Sequence, residues 1–475
     1  MNNKRGKIRP NDGRKLLWPS GVESFIKHIR FHWPAYIIVL FFTFCSLTVI
    51  KYLPSDFNIE VPPPETSLAA PDEINHYKYN VGFILENKRL PVAGVDDIEA
   101  YQNCRDNKNG QIPCLYSYTV NPQAAYLFDA FVASVFHKLL GLQPQITARY
   151  ASTFYGIVFI ACVYSSAFLI SRRRYIATLI TLGVALIPQF IYVSSYTNFD
   201  AHSVAISGLL GLAITLFFLA PRAKLRSVFL AVVAGGLLPL AKVNFFVLFI
   251  PVLITLTVTY RRKDIDLRFL FRWAMWATVS FLIFSSFWYI RNLILYGDLL
   301  GQGFVISEMA KYHPLGQSRP LDLESYVWLT KMEFTNLLYR SFYVGLGQMH
   351  YFLDSYKYAI PASLSLISSF FIIKHVVQDK LKTLGWVFTG YVVLLIFLIG
   401  LVAYNSVHYD FQPQGRYLFP ILMPTAMLCA YAYRSSKKLS IISVLFASSS
   451  VFLFFYAVDL FIYVYIAPFY NVVIG

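Results

Sequence analysis

Charge is scarce in this chain. Asp, Glu, Lys and Arg make up 14% of its 475 residues, against 57% hydrophobic. A soluble globular domain carries nearer a quarter, so that class is excluded and a polytopic membrane protein is implied. The mean hydropathy of +0.52 agrees. Acids are scarcer than bases, 25 against 41, which leaves a net charge of +16. In a soluble protein such an excess suggests nucleic acid. Here the bases gather in short loops between apolar runs, where membrane topology accounts for them. Cysteines are few, five in all. Cys45, Cys162 and Cys429 fall in apolar runs and read as small hydrophobes. Cys104 and Cys114 share one polar loop, and a disulfide between them needs an oxidising compartment. A metal site there lacks a second Cys or His pair close by. A cleavable signal, a glycine-rich phosphate loop and a serine-triad signature are missing as well.

What remains is a succession of apolar runs. Residues 1–33 form a basic, cytoplasmic N-terminal segment, and from 34 onward the chain reads as a single transmembrane domain. Spans are expected at about 34–53, 149–171, 175–194, 201–220, 269–290, 357–374, 385–404, 417–434 and 440–466. Residues 227–260 have basic loops at both ends, so they are expected to form two short arms turning near Lys242-Val243-Asn244. The sum is an all-α chain of about eleven transmembrane helices, N-terminus inside and C-terminus outside, with every short inner loop basic. Two long outer loops result, 54–148 and 291–356. Within the first, 121–141 reads as an amphipathic helix on the outer surface, with Asp129, His137 and Lys138 as its polar marks. No internal repeat of the secondary-transporter kind stands out.

The chemistry is expected in the outer loops. Pro71-Asp72-Glu73-Ile74-Asn75-His76 follows the first span by about twenty residues, and adjacent carboxylates there are costly without a job or water to face. A carboxylate beside another has its pKa raised, which suits a general base. A solvated loop acid is the plain alternative. Lys242, Arg291 and Arg416 are expected near the outer membrane surface, at the depth of a lipid phosphate, which Arg grips bidentately and Lys as a point charge. Snorkelling to the interface would explain any one of them alone. Tyr196–Asp200 is a polar knot between spans, in which Asn198 and Asp200 either cap the next helix or meet a substrate. Tyr351, with neighbouring tyrosines and His350, could offer a sugar platform or an interfacial belt. His76 would orient Glu73.

Four stretches, PDEINH, YTNFD, WYIRNLILYGDLLG and QGRYLFP, together resemble the GT-C superfold of membrane glycosyltransferases. They are similar in particular to a family of bacterial integral membrane proteins with Pro-Asp-Glu-x-x-His in the first outer loop. The resemblance covers about 71–424 in separated motifs, none decisive by itself. Ile74-Asn75 and Asn121-Pro122-Gln123 depart from the family's usual residues. The resemblance implies an inverting transfer of a monosaccharide from a polyprenyl-phosphate donor to a cell-surface glycan or glycolipid. It places the protein in a bacterial cytoplasmic membrane, with the site facing the periplasm. Asp72 would be the base with Glu73 supporting it, Lys242, Arg291 or Arg416 would hold the leaving phosphate, and His76, Asn198, Asp200 and Tyr351 would line the substrate. No metal or other cofactor is implied. A glycolipid flippase is the first rival, but it calls for ionisable residues deep in the helices. A polymerase or ligase using a diphosphate-linked glycan is the second.

Overall fold

A computed structural model describes residues 22–54, 70–102, 117–312, 322–347, 349–379, 382–408 and 411–467. Cys104 and Cys114 lie outside them. Among the described residues the chain is all helical, and the one β-type backbone pairing joins Leu346 to Tyr351. Among the described residues eight helices are long and apolar enough to cross a membrane: Arg30–Tyr52, Pro144–Ser171, Phe199–Leu219, Val243–Arg261, Leu267–Phe284, Ser355–Val377, Leu384–His408 and Lys437–Ile466. A multi-pass membrane protein is the consequence, since in lipid every backbone group must find its partner within the helix.

Two of these form the centre. Pro144–Ser171 opens on a proline, whose missing N–H costs nothing at the first turn. It packs along Phe199–Leu219, and both are far more buried than Leu267–Phe284 or Ser355–Val377 at the periphery. Small residues allow close approach: Gly208 lets Phe159 of the facing helix settle against it, and Gly156 does the same for Phe42 of the first span. Val22–Tyr52, Ala124–Leu140, Arg174–Ala185 and Leu422–Ser435 pack around Pro144–Ser171.

The other three expected spans, 175–194, 227–241 and 417–434, are interrupted. Arg174–Ala185 stops before Ile187, whose backbone is extended because Pro188 follows it. Pro188–Val193 is then a separate short helix. Lys224–Ala231 runs into a wide π-type stretch, Val232–Leu237, then the tight turn Leu238–Leu240, and the chain becomes extended at Ala241. A Cβ at Gly235 would lie 2.2 Å from the Ala277 carbonyl oxygen, so only glycine permits this approach to Leu267–Phe284. Before Leu422–Ser435 the chain winds as a 3₁₀ turn over Gly415–Ile421, which contains Pro420. Non-helical backbone at such places is tolerated where protein surrounds it or a cavity needs it.

The 121–141 stretch does contain a helix, Ala124–Leu140, ended by Gly141 in the left-handed region. Its faces differ from the expectation. Asp129 is buried beside Tyr155, whereas Leu127, Phe131 and Leu139 are exposed. Ala125, Ala130 and Ala133 form the small inward surface that lets the helix settle close to its neighbours. Burial pushes the Asp129 carboxyl well above its usual range.

Candidate functional site

The interruptions place charged residues near Asp72: Arg416 pairs with it, and Asp200 and Lys242 follow in turn. The chain reverses at Pro71-Asp72 before the short helix Glu73–His76. Asp72 has φ +61, in the left-handed region that Asp tolerates better than most residues. Its carbonyl accepts from the N–H groups of Asn75 at 3.0 Å and His76 at 3.1 Å.

From this turn the two carboxylates take different directions. Asp72 Oδ2 accepts from Arg416 Nη2 at 2.5 Å. The Asp72 side chain keeps 33% of its exposure, while that of Arg416 keeps 1%. Glu73 is buried, and its Oε1 accepts from Arg149 Nε at 2.7 Å and from the Thr197 N–H at 3.1 Å. Its Oε2 accepts from Arg149 Nη2 at 2.9 Å. Arg149 also donates to the carbonyls of Ile50, Leu53 and Pro54. Glu73 is thus built into the protein, and Asp72 faces the site.

Arg416 sits on the 3₁₀ turn. Its Nε donates to Gln414 Oε1 at 2.6 Å, and its Nη1 to the Tyr196 hydroxyl at 2.9 Å. Asp200, in the first turn of Phe199–Leu219, stands 3.7 Å from Arg416 Nε through Oδ2, and its Oδ1 accepts from Lys242 Nζ at 2.9 Å. Lys242 lies at the break after the second interrupted element. Its N–H donates to Ser203 Oγ, and its Nζ stands 4.8 Å from the centre of the Tyr417 ring. Two acids and two bases therefore alternate: Asp72, Arg416, Asp200, Lys242. His76 borders them. Its ring stacks on Tyr118 at 4.0 Å, and its Nδ1 bonds the Tyr126 hydroxyl at 2.7 Å.

Electrostatics correct one expectation. Asp72 was expected to have its pKa raised by Glu73. Burial does push the Asp72 carboxyl up, but Arg416 above all, with Lys242 behind it, overrides this and holds the group below the usual carboxylate range. Burial pushes the His76 imidazole down to about 3 against the pull of Asp72, so it is neutral at physiological pH. His76 meets Tyr118 and Tyr126, while Glu73 is gripped by Arg149 and Thr197; the expected His76–Glu73 partnership gives way to these contacts.

The remaining candidates lie as follows. Asn198 caps Phe199–Leu219, its Oδ1 accepting from Ala201 N–H at 2.8 Å and its Nδ2 donating to the carbonyls of Val193 and Tyr196. Arg291 is engaged away from Asp72, donating to the Pro91 carbonyl and lying over the Trp288 ring. Tyr351 pairs its backbone with Leu346, in a turn whose Gly347 N–H donates to the Tyr465 hydroxyl. Arg149 and Tyr118 are the site residues that sequence reasoning missed, while Tyr196, Gln414 and Tyr417 lay in stretches it singled out without a role of their own. An arginine at the head of a long apolar run was a usable signal for the first. No family model, curated protein or solved structure matches the chain.

Proposed function

We propose that this protein is an inverting glycosyltransferase of the GT-C type, moving a monosaccharide from a polyprenyl-phosphate donor to a glycan or glycolipid hydroxyl on the outer face of a bacterial cytoplasmic membrane. The observation that carries the reading is the grouping of a partly exposed carboxylate, Asp72, with two cations, Arg416 and Lys242, at the ends of interrupted helices. Such a grouping offers a base and an anion clamp within one small volume.

In the reaction, the acceptor hydroxyl gives its proton to Asp72. Its oxygen forms a bond to the anomeric carbon as the bond from that carbon to the phosphate oxygen breaks. The electron pair leaves on the polyprenyl phosphate, and attack from the opposite face inverts the centre. Arg416 and Lys242 stabilise the charge that grows on the leaving phosphate. Asp200 holds both cations in place through opposite oxygens. His76 and Tyr118 border the acceptor side. A low-lying carboxylate pKa keeps Asp72 ionised and ready to accept the proton at neutral pH.

Binding of polyprenyl monophosphate to the purified protein, measured by native mass spectrometry, tests the anion clamp. Lys242→Ala should weaken it about tenfold or more, as expected on losing a charge-assisted contact. Binding unchanged in both Lys242→Ala and Arg416→Ala, with folding verified by size exclusion, would remove the clamp from the mechanism.

A further inference from the structure

Glu73 adjoins Asp72 in sequence yet faces the protein interior, where it accepts from Arg149 and the Thr197 N–H. Those bonds join four parts of the chain. Arg149 belongs to the central Pro144–Ser171 helix, and its guanidinium also holds the carbonyls of Ile50, Leu53 and Pro54 at the end of the first span. The Thr197 N–H belongs to the turn that carries Tyr196 and Asp200. Tyr196 in turn accepts from Arg416, the partner of Asp72. The backbone of Asp72 itself is in the left-handed region, a conformation that persists where surrounding contacts enforce it.

From this geometry we infer that Glu73 and Arg149 form a positioning clamp, which fixes Asp72 against Arg416 and aligns the Tyr196–Asp200 turn with it. The inference rests on the transferase reading for what Asp72 does, and it assigns Glu73 a role that is not catalytic. The clamp touches no substrate. It acts by holding the turn at Pro71-Asp72 to the same guanidinium that fastens the end of the first span. Arg is suited to this because its planar fork serves Glu73 through two nitrogens while other N–H groups reach the carbonyls. Lys, with one ammonium, cannot do both.

The test uses the full chain in detergent and two variants. Glu73→Gln with Arg149→Met removes one negative and one positive charge together, so their direct electrostatic effects on Asp72 oppose each other and leave geometry as the variable. Arg149→Lys keeps the charge and loses the fork, and it serves if the double variant fails to fold. The first readout needs no enzymatic activity: labelling of the protonated Asp72 carboxyl by a hydrophobic carbodiimide across pH, followed by peptide mass spectrometry. Once Asp72 is released from Arg416, its labelling at pH 5 should rise at least about threefold over wild type, as expected for a carboxyl returning toward its ordinary range. The second readout is transfer, where kcat should fall about tenfold while KM for the lipid donor stays within about twofold. Folded variants that label and turn over like wild type would overturn the clamp. Absence of transfer in the wild type with every polyprenyl-phosphate sugar tried, alongside the labelling shift, would refute the transferase and leave the clamp standing.

Discussion

Asp72 and Glu73 share a peptide bond and are placed in opposite settings. The pairing was legible in the sequence because two acids so near an apolar span are unusual. Which of them faces the site was not, because the answer depends on Arg149, seventy-six positions away from Glu73, and on Arg416, 344 positions from Asp72. Local rules favoured mutual repulsion of the two acids. Tertiary placement of a guanidinium against each one removed it. The pH dependence of transfer follows from this. Under the proposed transfer the ionised Asp72 is the base, so activity should be present above its folded-state pKa and be lost as pH falls through it. That pKa is depressed, so the acid limb of kcat/KM should lie below an ordinary aspartate's value of about 3.9. Replacing Arg416 with Gln removes the main cation and leaves the burial, so the limb should move to higher pH. A pH–rate profile of the variant with an unmoved limb would contradict this account of Asp72. Breaking Glu73 alone is a different matter. Glu73→Gln leaves Arg149 buried without its counter-charge and should cost about 3–5 kcal/mol of stability, read as a large drop in thermal midpoint in detergent. The double variant with Arg149→Met should recover most of it.

At the scale of elements, the interruptions are the informative feature. Periodicity and loop charge located the apolar runs well, and the turn expected near Lys242 is where the chain breaks. What the runs conceal is that several of them are discontinuous, the 269–290 run included, which breaks at Ser285. Pro188, Gly235, Pro239 and Pro420 stand at these interruptions and are visible in the sequence. The polar knot at Tyr196–Asp200 was legible as a cap, and Asn198 serves as one. The Ala124–Leu140 helix was located correctly and its His137 and Lys138 are exposed, but one polar mark misled: Asp129 is buried. Gly415 gives the sharpest element-scale prediction. Its N–H donates to Ser341 Oγ at 2.7 Å, and a Cβ there would stand 2.0 Å from the Phe342 nitrogen. That neighbour is backbone and cannot swing aside. Gly415→Ala should therefore push the 3₁₀ turn, with Arg416, off Phe334–Tyr343 and cost about 1–3 kcal/mol as an overpacked site does. Thermal stability and donor binding should both fall. A variant with wild-type stability and binding would show that this close approach does not place Arg416.

At the scale of the whole molecule, the central Pro144–Ser171 and Phe199–Leu219 helices carry the frame, and the more exposed spans surround it. Composition alone pointed to the membrane, and the eight apolar helices agree. The direction of the chain through the bilayer rests on the positive-inside rule. It predicts that loop 54–120 and a tag placed after Gly475 are external, and that loop 261–268 is cytoplasmic. Single cysteines introduced in each loop and labelled with a membrane-impermeant maleimide on intact cells check this; labelling of 261–268 from outside, with 54–120 protected, would reverse the orientation.

The base assignment is tested most directly by sugar transfer from purified polyprenyl-phosphate donor to acceptor, catalysed by Asp72→Asn beside wild type. Asn keeps the size and shape of the side chain and also tolerates the left-handed backbone, but it cannot take the proton. Turnover should fall about a hundred-fold or more, the usual worth of a general base, while polyprenyl-phosphate binding stays near wild type and size exclusion shows a folded protein. Near wild-type turnover by a folded Asp72→Asn protein would contradict the assignment of Asp72 as the base.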